Sequence, residues 1–127
     1  MQKIIDFLNV HNSGYLATIE NGMPRVRPWR LMFIEDRKFW FLTTSDKEIY
    51  QQLLENPYVE FCSSAPDFSH VRLRGKINFY EKNEKEEETA LLKGLFETYD
   101  DTTRVFYIEH GSASKMLSSG KNETIDF

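Results

Sequence analysis

Gly22-Met23-Pro24-Arg25-Val26-Arg27-Pro28-Trp29-Arg30, followed a little further on by Phe39-Trp40-Phe41-Leu42-Thr43-Thr44-Ser45-Asp46-Lys47-Glu48, reads as two strands that run into a helix start. Asn21-Gly22 between apolar runs is the strongest short-range hairpin signal, so it joins a strand over Tyr15 to Glu20 to a return strand from about Arg25 to Glu35. Glu35-Asp36-Arg37 turns the chain into a third strand, Lys38 to Thr44. Residues 46 to 56 then place Ile49, Tyr50, Leu53 and Leu54 on one helical face, and Asn56-Pro57 ends that helix.

The flanks extend the same pattern. Ile4, Ile5 and Leu8 predict a helix over residues 2 to 11, stopped by Asn12-Ser13-Gly14. Tyr58 to Ser63 is a strand before the loop Ser64 to Asp67, and Val71 to Tyr80 alternates cleanly between apolar and polar positions. A third helix is expected over Glu81 to Thr98, with Leu91, Leu92, Leu95 and Phe96 as its buried stripe. Val105 to Glu109 and Ser114 to Ser118 read as late strands, and Gly120-Lys121-Asn122 as a turn. Several antiparallel strands, short turns and about three helices predict a mainly β fold, a small closed or partly closed barrel. At 127 residues, 1–127 form a single domain, large enough to bury roughly two thirds of its unfolded surface.

Composition narrows the function. The balance of 16 basic and 20 acidic residues gives a net charge of −4, which argues against a nucleic-acid partner. A lone cysteine, Cys62, excludes an internal disulfide and fits a reducing cytoplasm. No run approaches the ~18 apolar residues of a membrane span, and the N-terminus carries no signal-peptide pattern. A cytoplasmic protein with no membrane contact is the expectation. His11, His70 and His110 lie far apart and match no metal-ligand spacing. G-x-S-x-G, G-x-G-x-x-G and Walker A patterns are absent from the sequence, so any chemistry is expected to come from a cofactor.

The two opening stretches carry the candidate site. Unpaired amides at a helix start form a phosphate seat, and the hydroxyls, the ammonium and the guanidinia around this one suit a phosphomonoester. Trp29 adds a flat aromatic surface nearby, and the combination suggests flavin mononucleotide (FMN). Each residue also has a structural reading. Ser45-Asp46-Lys47-Glu48 fits an S-x-x-E capping box, which accounts for Ser45 and Glu48 without a ligand. It does not explain Lys47, because a cation in the first turn opposes the helix dipole unless an anion sits nearby, supplied by a ligand phosphate or locally by Asp46 and Glu48. Alternation sets Arg25, Arg27 and Trp29 on one face, with Val26, Pro28 and Arg30 on the other. Pro28 implies an edge or a bulge. The stripe Arg72, Arg74 and Lys76 reads as a solvated face, or as a partner for the acidic run Glu84 to Glu88.

Gly22-x-Pro24-x-x-Arg27-Pro28, then Phe41-Leu42-Thr43-Thr44, Lys47, Asn56-Pro57 and Val71-x-Leu73-x-Gly75-Lys76, resemble in order and spacing the pyridoxamine 5′-phosphate oxidase-like FMN-binding split-barrel superfamily. The likeness covers nearly the whole chain and is closest to the small clostridial-type and nitroimidazole-resistance-like members. The resemblance implies an FMN-binding split β-barrel, a homodimer with the flavin between subunits, and a small oxidoreductase with a nicotinamide donor. It assigns Arg27 to the flavin phosphate, Pro28 and Trp29 to the flank of the isoalloxazine, and Thr43 and Thr44 to the hydroxyl-bearing strand end. Lys47 matches the phosphate lysine if the loop before it is about two residues shorter than in the biosynthetic enzyme. His70 stands where that enzyme has a glutamine reaching the flavin. The C-terminal signature for the vitamin substrate is missing, which argues against pyridoxine phosphate. The alternative is a non-catalytic binding module of the same fold, holding haem, a deazaflavin or no cofactor, with His11, His70 or His110 as an axial ligand.

Overall fold

The computed structural model describes residues 1–82, 84, 88–98 and 100–127. In chain order the elements are α1 (Gln2–Val10), β1 (Ser13–Glu20), β2 (Met23–Arg30), β3 (Phe33–Glu35), β4 (Lys38–Thr44), α2 (Glu48–Glu55), β5 (Tyr58–Ser64), β6 (His70–Tyr80), α3 (Ala90–Thr98), β7 (Thr103–Met116) and β8 (Asn122–Asp126). The strands form one antiparallel sheet in the order β2-β1-β5-β6-β7-β4-β3, with β8 added to β7. The sheet curls on itself, and α2 packs against β1 and β4 where its two arms approach. This is a split barrel.

Its interior is aromatic and aliphatic. Phe41, Phe61 and Phe106 are fully buried with Leu16, Val71 and Leu73, and α1 contributes Ile4 and Leu8. Phe41 stacks on Phe106 with ring centres 5.4 Å apart. Each such side chain contributes about 1.5–3 kcal/mol by leaving water. A second cluster, Trp40, Tyr80, Leu92, Leu95 and Val105, lies on the other face of β4 and β7 beneath α3.

The hairpin at Asn21-Gly22 forms as read, with both residues at positive φ (52° and 76°). Its return strand is shorter than expected. The Leu31 amide donates to the Asn12 carbonyl and the Met32 amide to the Trp40 carbonyl, so the chain leaves β1 for β4 at that point. Pro24 and Pro28 are accommodated because β2 is an edge strand paired only with β1.

The two late strands are one. β7 runs through Gly111, keeps β6 along one edge, and exchanges β4 for β8 on the other. β8 escapes the sequence reading because its residues are exposed except Ile125, which packs on the core.

The third helix begins at Ala90, nine residues later than the sequence suggests. The Thr89 hydroxyl accepts from the Leu92 amide (3.4 Å), which marks the helix start. The expected helical turns over residues 83 and 85–87 lie outside the described residues, as does most of the acidic run. Among the described residues Arg74 pairs with Ser112 (2.9 Å) and, loosely, with Glu60 (3.9 Å).

The capping box does not form. Lys47 is the N-cap of α2 and no side chain caps it. Ser45 instead donates its amide to the Thr102 carbonyl (2.9 Å). Ser45→Ala is therefore expected to change stability by less than about 0.5 kcal/mol, where loss of a working cap costs about 1. Denaturant unfolding decides between the two.

Candidate functional site

Arg27 points from β2 toward the barrel interior, opposite the fully buried Leu16. Its Nη1 donates to the Leu16 carbonyl (3.0 Å) and its Nη2 to Gln52 Oε1 (2.8 Å). Gln52 is 2% exposed on the inner face of α2. Its Oε1 also accepts from the Thr18 hydroxyl, and its Nε2 donates to Glu20 (3.3 Å). Burial pushes the Arg27 pKa down, and the carboxylates of Glu48 and Glu20 push it back up. The guanidinium stays charged, with N–H groups beyond the two already used.

Trp29, two residues along on the same face, packs against the core. Lys47 Nζ lies 5.3 Å from the centre of its ring. Among the described residues no carboxylate forms an ion pair with Lys47. Arg27, Trp29 and Lys47 are thus gathered where β2 faces the start of α2. Thr43, next to the end of β4, is fully buried, and its Oγ1 has no hydrogen-bond partner among the described residues. Thr44, next to it, hydrogen-bonds to Asp46.

Two other sequence-named residues lie elsewhere. Pro28 is exposed on the outer face of β2. His70 opens β6 with its neighbour Val71 in the core, so its ring faces outward, where Nδ1 meets the Phe68 carbonyl at 3.0 Å. The same outer face carries Tyr15, Val26 and Tyr58, each more than half exposed. A single chain brings neither Pro28 nor His70 to the Arg27 cluster.

The sequence reading overlooked Gln52. Its signal was positional: a polar residue between Ile49 and Leu53 on the buried stripe of an amphipathic helix needs a partner inside.

The cluster fits a phosphomonoester. It offers spare guanidinium donors and a cation that, among the described residues, has no ion-pair partner. Among the described residues no group of three or more His, Cys, Asp or Glu could hold a metal. No helix there is long and apolar enough to cross a membrane.

A family model described as pyridoxamine 5′-phosphate oxidase matches residues 1–117. A search of curated proteins found no match. A solved NimC/NimA family protein from Clostridium acetobutylicum is 28% identical, with a TM-score of 0.81 over 100% of this chain and 92% of that one. A pyridoxamine 5′-phosphate oxidase-related, FMN-binding protein from Nostoc punctiforme shares the fold at 10% identity (TM-score 0.67; 98% and 91% covered). So does a heme-binding protein from Mycobacterium smegmatis at 16% identity (TM-score 0.74; 98% and 55% covered). With its split barrel and a family match over residues 1–117, the chain belongs to the pyridoxamine 5′-phosphate oxidase family.

Proposed function

We propose that this protein is an FMN-binding flavoprotein, a small oxidoreductase acting as a homodimer. The observation that carries the reading is the convergence of Arg27, Trp29 and Lys47 at the start of α2. Arg27 and Lys47 would neutralise the phosphate dianion, the Thr43 hydroxyl would donate to a ligand oxygen, and Trp29 would lie along the flavin. The flavin, when bound, supplies hydride and electron transfer. The chain's own residues bind it, orient it and shield it from water.

The homodimer is supported by the apolar outer face around Tyr15, Val26 and Tyr58, exposed at 59%, 68% and 56%. In the proposed dimer His70, which lies on that outer face, would approach the partner's flavin and not its own. A nicotinamide dinucleotide is the proposed reductant.

Protein purified without denaturation is expected to be yellow with a flavin spectrum, and NADH or NADPH to bleach it. A colourless preparation that takes up no FMN in titration overturns the reading. Retained colour without bleaching by either nucleotide removes the nicotinamide donor alone. The heme-binding relative of the same fold supports a second reading, a haem-binding module. A Soret band on adding haem, with no FMN uptake, would select it.

A further inference from the structure

The amide of Gln52, a residue only 2% exposed, lies at the centre of a buried polar network. Its Oε1 accepts from Arg27 Nη2 (2.8 Å) and from the Thr18 hydroxyl, and its Nε2 donates to Glu20 (3.3 Å). Both ends are engaged with groups of fixed polarity, since Arg27 can only donate and a carboxylate only accept. The amide therefore has one favourable orientation. The Leu16 carbonyl holds the other terminal nitrogen of Arg27 at 3.0 Å. With Nη1 and Nη2 both tethered, the guanidinium plane is fixed, and so is the direction of its remaining N–H groups.

We infer that Gln52 is a positioning residue that presets Arg27 for a phosphate, an inference that rests on the FMN reading above. A neutral amide suits the task better than a carboxylate. It holds the guanidinium in place without cancelling the charge that a dianion needs. Neither nearby carboxylate pairs directly with Arg27 among the described residues: Glu20 is held by the amide's own N–H and by Arg25 (3.4 Å), and Glu48 acts on the guanidinium only through its charge. A loosened guanidinium would have to be ordered when the ligand binds, and that cost falls on ligands bearing a phosphate.

The test is a set of FMN and riboflavin titrations, read by flavin fluorescence, on wild type, Gln52→Met, Arg27→Ala and the double variant. Gln52→Met preserves length and helix propensity and removes the acceptor. It is expected to weaken FMN about tenfold and riboflavin less than about twofold. Because Gln52 acts through Arg27, adding Gln52→Met to Arg27→Ala should cost no further FMN affinity. Gln52→Asn withdraws the amide by one methylene, keeps a polar group in the helix, and should show the same selective loss if Gln52→Met does not fold.

A selective loss in Arg27→Ala with none in either Gln52 variant overturns the positioning role and leaves the phosphate site standing. Equal losses of FMN and riboflavin in the Gln52 variants also overturn it, because they report a merely structural role. If Arg27→Ala shows no selectivity, the phosphate reading itself falls.

Discussion

Arg27→Ala is expected to weaken FMN binding by about tenfold to a hundredfold and to leave riboflavin affinity nearly unchanged. The size follows from a charge-assisted hydrogen bond, worth roughly 1.5–3 kcal/mol, in a partly buried place where salt screens little. Riboflavin is the control that the geometry demands. Arg27 also bonds to Leu16 and Gln52, so its removal loosens the barrel mouth whether or not a phosphate is bound. General loosening lowers both affinities, and loss of a phosphate contact lowers one. Lys47→Ala should show the same selectivity at smaller size. Its ammonium is exposed beside Trp29, so added salt should erase its contribution before that of Arg27. Equal losses of FMN and riboflavin would place the phosphate elsewhere.

The parts of this molecule that were legible in the sequence are those decided by local chemistry. Asn21-Gly22 specified its hairpin because the turn needs positive φ at both residues. Lys38–Thr44 came out with its bounds because an apolar run between two turns leaves little choice. Elements governed by distant partners were harder to read. The break after Arg30 depends on Asn12 and Trp40, which pull the chain in two directions. Ser45 and Glu48 have the spacing of a capping box, yet a backbone bond to Thr102 draws Ser45 away from the role. The candidate site divides in the same way. Arg27, Trp29 and Lys47 converge because strand alternation and the helix start bring them together. Gln52 was hidden because helical periodicity marks a buried position without naming its partners. His70 could be placed on the outer face only after β6 had its register.

The same substitution at two glycines should have opposite effects, and the contrast tests the close approach of β6 and β7. The sequence reading ends one strand at Glu109 and opens the next at Ser114; the structure carries β7 straight through Gly111 between them, where space admits only a glycine. A Cβ there would lie 2.1 Å from the Arg74 carbonyl oxygen and 3.1 Å from the Gly75 Cα. Both neighbours are backbone, so no rotamer relieves the clash and the strands must part. They would part where Gly75 faces Gly111, beside the irregularity in β6 and where β7 changes partners. Gly111→Ala is expected to cost about 3 kcal/mol or more, a large share of a domain's usual 5–15, and to lower Tm by roughly 10 °C. Gly94 lies inside α3 with nothing within 4 Å of an added Cβ. Gly94→Ala should therefore stabilise by about 0.5–1 kcal/mol, because alanine loses less backbone entropy in a helix. Thermal and denaturant unfolding of the two variants measures the pair. A small effect at position 111 would mean that β6 and β7 can separate at little cost, and that the glycine there serves no packing purpose.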